Sequence, residues 1–171
     1  MRILTLNLNG IRSAASKGAF EWLRGQDADV ICLQETRAHV AQLECHDIDL
    51  PGYHRHFFDA QRKGYSGVAL YSKREPDALR RGFGVSEFDN EGRYLEARFG
   101  ESSVAPVYLP SGPAGPERQA SKFRCLDAFL PWMQGLLRER GEFVLCGDWN
   151  IAHKPIDLRN WKSNQKNSGF L

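Results

Sequence analysis

The sequence predicts an α/β fold, because short apolar runs read as buried strands, the opening segment reads strand, helix, strand, and one long segment carries helical periodicity. Residues 3–8 form the first apolar run and end at Asn9-Gly10, and residues 30–33 form the second and end at Gln34-Glu35. Both read as buried strands. Between them, Phe20, Trp22 and Leu23 lie in a segment of helical character that stops around Gly25. Residues 67–72 and 104–109 read as further strands and residues 94–99 as a strand of alternating polarity, with Gly- and Pro-rich turns between them. Over residues 117–140 the apolar positions Phe123, Leu126, Phe129, Leu130, Met133, Leu136 and Leu137 recur at helical spacing, and Pro131 predicts a kink or break. After Gly141, residues 143–146 form another apolar strand, which ends in Gly147-Asp148-Trp149-Asn150. Residues 160–171 are polar and rich in Lys and Asn.

The chain has 171 residues, 42% hydrophobic and 26% charged, which predicts one packed domain over residues 1–171 and argues against disorder. A formal net charge of only +2 means that any nucleic-acid contact must come from local clusters of Lys and Arg. Cys32, Cys45, Cys125 and Cys146 lack the close spacing of a zinc site, and no signal peptide precedes the first strand. Free thiols and a cytoplasmic location are therefore expected, with Cys32 and Cys146 as small buried hydrophobes. No apolar stretch approaches the ~20 residues needed to cross a bilayer, so no membrane association is expected.

The apolar strands end in oxygen-bearing groups: Asn7 and Asn9 after the first, Glu35 after the second, Asp148 and Asn150 after the last. Ligands in α/β sheets collect at the carboxyl ends of strands, so these groups can converge although they are far apart in sequence. Carboxylate and amide oxygens suit a hard cation such as magnesium, which keeps places for water and substrate phosphate. Each position taken alone has a plainer reading. Asn9-Gly10 also fits a simple turn, Asp148-Trp149-Asn150 a helix cap, and Glu35 a solvated acid at a sheet edge.

Several motifs make the pattern specific. Asn7-Leu8-Asn9-Gly10-Ile11-Arg12, Leu33-Gln34-Glu35-Thr36-Arg37, Gly64-Tyr65-Ser66-Gly67-Val68-Ala69, Tyr108-Leu109-Pro110-Ser111-Gly112 and Gly147-Asp148-Trp149-Asn150 stand in the order of the signature motifs of the exonuclease III family of AP endonucleases, which the chain resembles throughout. The tail from Ile156-Asp157-Leu158-Arg159-Asn160-Trp161-Lys162 through Asn164, Lys166, Asn167, Ser168, Gly169 and Phe170 resembles the segment that follows in that family. The resemblance implies a layered α/β sandwich of the endonuclease/exonuclease/phosphatase type, to which this chain would contribute one mixed sheet, flanking helices and the first strand of a second sheet. It implies magnesium-dependent hydrolysis of DNA phosphodiesters, with Mn2+ as a substitute: cleavage 5' to abasic sites, 3'-5' exonuclease action and trimming of blocked 3' ends. Its metal-binding positions fall on Asn7, Asn9, Glu35, Asp148 and Asn150, its catalytic positions on Tyr108, Asp148 and Asn150, and its contacts to double-stranded DNA on Arg12, Arg37, Tyr65, Arg93, Asn160 and Asn164.

The family pattern continues into an Asp on a later strand and a Ser-Asp-His motif. Neither occurs here, and His39, His46, His54, His56 and His153 all stand in other contexts. The chain is therefore expected to be truncated at its C-terminus, with a monomer expected for the complete protein. Two alternatives stay open. One is another phosphoesterase of the same superfamily, such as a pancreatic-type deoxyribonuclease, an inositol polyphosphate phosphatase or a sphingomyelinase; the other is an inactive DNA-binding fragment.

Overall fold

The computed structural model describes residues 1–44, 47–111, 115–139, 141–165 and 169. Cys45, His46, Gly112, Arg140, Lys166, Asn167, Ser168, Phe170 and Leu171 lie outside the described residues. The chain divides into two compact units, Met1–Tyr108 with Glu139–Asp148, and Leu109–Arg138 with the residues from Trp149 onward.

Among the described residues the first unit holds eight strands in two sheets. One has the order β1-β2-β4-β3, built from β1 (Ile3–Asn7), β2 (Val30–Gln34), β3 (His54–Phe58) and β4 (Val68–Ser72). Here β1 and β2 run parallel and the other pairs antiparallel. The other sheet has the order β5-β6-β7-β8, from β5 (Ala78–Arg81), β6 (Leu95–Phe99), β7 (Ser102–Tyr108) and β8 (Glu142–Asp148). Its β7 and β8 run parallel. The second sheet is thus a full four-stranded layer, not the single strand expected. The strands the sequence reading overlooked are β3, at the margin of the first sheet, and β5, at the margin of the second, where a strand needs no apolar run.

The unbroken apolar run of β2 has a direct cause. Ile31 and Leu33 point to the cluster with Ile11, Phe20, Leu23, Leu43, Ile48 and Tyr71, while Val30 and Cys32 point to Leu70, Leu95, Phe99, Val104 and Tyr108 between the sheets. All five β2 residues are buried, and each large aliphatic side chain so covered contributes roughly 1.5–3 kcal/mol. The expected opening helix is two helices, α1 (Ile11–Ser16) and α2 (Ala19–Arg24), separated at Gly18, whose φ of 82° is left-handed. A short α3 (Ser86–Asp89) precedes β6. Within β7, Pro106 has no N–H to donate, and the ladder to β6 lapses between the Ala97–Val104 pair and an isolated bridge from Tyr94 to Val107.

The second unit is built on α4 (Pro116–Leu136), with a short α5 (Trp161–Asn164) in the tail. Pro131 lies inside α4 without ending it, so the expected break does not occur. Lys122, Cys125, Phe129 and Leu136 are its buried positions, and the Phe129 ring packs against Trp132 and Trp149 at 5.3 and 6.1 Å between centroids. Cys32 and Cys125 are buried free thiols and Cys146 is half-buried. Among the described residues no helix is long and apolar enough to cross a membrane.

Candidate active site

The turn that follows β2 is strained. Glu35 and Arg37 have φ of 54° and 49°, and Asn9 on the neighbouring turn has 49°. Left-handed backbone at a residue with a Cβ costs about 1–3 kcal/mol, so its surroundings must over-determine it. They do so from both sides. The β1 turn donates Leu8 N to Gln34 O, Gly10 N to Glu35 O and Ile11 N to Thr36 O at 2.9, 2.8 and 2.9 Å. On the other side, Thr36 N donates to Gly67 O and Arg37 N to Ser66 O at 3.1 and 2.8 Å. Gly67 is required there, because a Cβ would stand 2.3 Å from the Thr36 hydroxyl.

This turn aims the carboxylate of Glu35, a residue only 8% exposed, at the end of β1. Asn7 Nδ2 donates to Glu35 Oε1 and to Asp148 Oδ2, each at 2.8 Å, so one amide bridges two acids that stand 113 residues apart in sequence. Asn7 Oδ1 is turned away and accepts the Asn9 backbone N–H at 2.9 Å. Asn7 therefore serves as a donor that holds the carboxylates, and Asn9 is exposed and joins through its backbone. The last residues of β8 reach this position because Gly147 has no side chain; a Cβ there would lie 2.0 Å from the Val107 carbonyl.

Tyr108, at the end of β7, completes the group. Its phenol lies close enough to Glu35 to feel its charge, and its pKa is pushed up to about 12 by burial, then by the negative charge of Glu35 and Asp148. A neutral phenol is a donor at physiological pH. The Arg37 guanidinium forms an ion pair with Glu35 Oε2.

Arg12 is exposed beside a surface groove lined with Gly10, Ile11, Ser13, Thr36, Arg37 and Gly64. Tyr65 is half-buried. Arg93, expected among the exposed phosphate contacts, is only 2% exposed, with Nε on Glu91, Nη1 on the Tyr108 carbonyl and Nη2 on the Tyr65 hydroxyl. Asn150, Asn160 and Asn164 belong to the second unit. Asn150 has a left-handed φ of 51° and donates Nδ2 to Leu109 O at 2.9 Å. Asn164 Nδ2 donates to Asn160 O at 2.8 Å, beside a groove lined by Arg159, Asn160, Trp161, Lys162 and Ser163. The sequence reading missed Lys122, a buried lysine whose Nζ donates to Asn150 O at 2.5 Å. A lysine on an amphipathic helix reads as solvated, and no sequence signal corrects that.

Comparison with known proteins places this geometry. The chain is 39% identical to an exodeoxyribonuclease of Bacillus subtilis, over 99% of this chain and 66% of the relative. It is 37% identical to the DNA repair nuclease APEX1 of Danio rerio, over 99% of this chain and 55% of that protein. A solved AP endonuclease from Archaeoglobus fulgidus superposes with a TM-score of 0.87 at 30% identity, covering 100% of this chain and 65% of the other. The chain thus spans between about half and two thirds of the length of these relatives. The profile of the Endonuclease/Exonuclease/phosphatase family matches residues 4–170, and the chain belongs to that family.

Proposed function

We propose that the protein is a magnesium-dependent DNA-repair phosphodiesterase that cuts 5' to abasic sites and trims 3' ends as a 3'-5' exonuclease, acting in the cytoplasm. One observation carries the reading: two carboxylates, Glu35 and Asp148, share the Asn7 amide, with the neutral Tyr108 phenol close to Glu35. The names of the B. subtilis, D. rerio and A. fulgidus relatives support DNA as the substrate.

The donor set fits a magnesium or manganese ion. Among the described residues no group of three or more His, Cys, Asp or Glu could hold a metal. Two carboxylates with adjoining amides form the sparse, all-oxygen set that magnesium accepts while keeping water and substrate phosphate as further ligands. Glu35 and Asp148 would hold the ion, with Asn9 and Asn150 adding amide oxygens and Asn7 fixing the carboxylates. A bound cation supplies charge neutralisation at the phosphoryl oxygens.

The chain's own groups divide the remaining work. Asp148 exchanges a proton with the attacking water or the leaving oxygen, and Asn150 orients it or the phosphate. Tyr108 donates its phenolic proton as a hydrogen bond to the oxygen on which charge develops, a role that pre-set donors fill without reorganising. Arg12, Arg37, Tyr65, Asn160 and Asn164 position the backbone of the duplex, which suits a substrate recognised by a missing base and not by sequence.

The test is cleavage of an abasic duplex with magnesium and with EDTA, beside an intact duplex and a non-nucleic-acid phosphomonoester. In the complete protein, cleavage confined to the abasic strand, requiring the cation and lost in Asp148→Ala, is the expected outcome, with turnover near background for residues 1–171 alone. Preference for the monoester would favour another phosphoesterase of the family. Tight duplex binding without cleavage would leave the binding-only alternative.

A further inference from the structure

The family resemblance implies Arg93 as a contact to DNA, yet it is buried at 2% exposure, and its contacts converge on two tyrosines. It is bound to Tyr108 in both directions: Tyr108 N donates to Arg93 O at 2.9 Å, and Arg93 Nη1 donates to Tyr108 O at 3.0 Å. Its guanidinium carbon also lies over the Tyr108 ring, 5.0 Å from the centroid, and over the Tyr65 ring at 5.7 Å. Nη2 reaches the Tyr65 hydroxyl at 3.1 Å, and Nε pairs with Glu91 Oε2 at 2.6 Å. On the outer side the exposed Arg62 covers the Tyr65 ring at 5.5 Å. Arg62, Tyr65, Arg93 and Tyr108 thus form an alternating stack of cations and rings that runs from the surface to the phenol beside Glu35.

The backbone carrying Arg93 is itself fixed. Gly92 has a left-handed φ of 60° and passes so close to β3 that a Cβ would lie 2.3 Å from Phe58 O. The neighbouring turns are joined by Gln61 N to Asn90 O at 2.8 Å and Gly67 N to Glu91 O at 3.3 Å. Beyond Pro106 the β6 pairing resumes at Tyr94–Val107, and the Arg93–Tyr108 backbone bond continues it at the end of β7, where Tyr108 also pairs with Asp148 of β8.

Resting on the function proposed above, we infer that Arg93 is a positioning residue, which sets the Tyr108 ring for its hydrogen bond and ties it to Tyr65 at the surface, and that it makes no direct contact with DNA phosphate. Only a planar guanidinium can serve these directions at once; a lysine ammonium is a single point charge on a flexible stem. Cation and ring attract through the ring quadrupole, so the stack also fixes the tilt of each tyrosine.

The experiment uses the whole chain labelled with 3-fluorotyrosine, its fluorine resonances assigned by Tyr65→Phe and Tyr108→Phe. Arg93→Met is expected to displace the Tyr65 and Tyr108 resonances by more than a linewidth and leave Tyr53 and Tyr71 in place. Arg93→Lys, the milder variant should the first fail to fold, is expected to displace Tyr65 and to restore Tyr108 only in part. In parallel, the slope of log affinity against log salt on an abasic duplex is expected to match wild type in the Arg93 variants, while Arg12→Ala flattens it by about one unit. Unmoved Tyr65 and Tyr108 resonances, equal displacement of Tyr53 and Tyr71, full restoration by lysine, or an Arg93 variant that flattens the salt slope would each overturn the inference. If the complete protein neither binds nor cuts the duplex, the proposed function fails, and the fluorine spectra still decide the role of Arg93.

Discussion

Glu35 and Glu96 are buried to nearly the same degree, 8% and 5% exposed, and each lies beside a tyrosine phenol and an arginine. Their surroundings differ in kind. Glu96 sits within β6 and accepts from Tyr94 Oη at 2.7 Å and Ser103 Oγ at 2.9 Å, with Arg80 at 3.6 Å. Arg80 is in turn paired with Glu139 at 2.9 Å, so that network is closed. Glu35 lies on left-handed backbone and shares its Asn7 donor with a second carboxylate. Burial and an ion pair do not by themselves mark a functional acid. Left-handed backbone and a second acid on the same donor are what set Glu35 apart from Glu96 and make it the candidate.

The largest expected effect breaks or confirms this contrast directly. In the complete protein, Glu35→Ala or Asp148→Ala should lower abasic-site cleavage by ~100-fold or more, since pre-set charge stabilisation is lost, whereas Glu96→Gln should leave the rate per folded molecule unchanged. Single-turnover cleavage measures both. In stability the order reverses. Glu96→Ala strands the Tyr94 and Ser103 hydroxyls and one face of Arg80, and should cost about 2–3 kcal/mol in urea unfolding. Glu35→Gln relieves charge crowding against Asp148 and should change stability by less than about 1 kcal/mol, in the stabilising direction; a loss as large as that of Glu96→Ala would erase the distinction.

The smallest effect concerns pH. Burial, followed by the charge of Glu96, holds the Tyr94 phenol above its ordinary range. The folded chain therefore favours the protonated phenol. That contribution is complete below the unfolded pKa of about 10 and is lost as the pH climbs toward the folded value. Comparing urea midpoints at about pH 9 and about pH 11 for wild type and Tyr94→Phe isolates it, and the variant should lose less stability over that interval.

Much of this was legible in the chain. The runs that became β2, β4 and β7 are apolar because both their faces are covered, β1 and β8 are only partly buried, and the polar ends of β2 and β8 named Glu35 and Asp148. β3 and β5 were not legible, since His54-Arg55-His56 and Arg80-Arg81 are what a margin strand carries and what a loop carries as well. Asn7 was legible as a site residue, but its part was not. Which end of its amide faces the acids is decided by the Asn9 N–H, a contact no spacing rule encodes. The burial of Arg93 was not legible for a related reason: it rests on Tyr65, Glu91 and Tyr108, partners that only the folded chain assembles.

The hydrogen bond from Gly10 N to Glu35 O also bears on how the protein ages. Asn-Gly is the dipeptide most prone to deamidation, in which the following backbone nitrogen attacks the side-chain amide and closes a succinimide ring. In Asn9-Gly10 that nitrogen is held at 2.8 Å from the Glu35 carbonyl and is withheld from the reaction while the turn is closed. Conversion of Asn9 to aspartate then proceeds from molecules in which the turn has opened, and its rate, followed by mass spectrometry of the peptide, is a slow chemical clock for local unfolding beside Glu35.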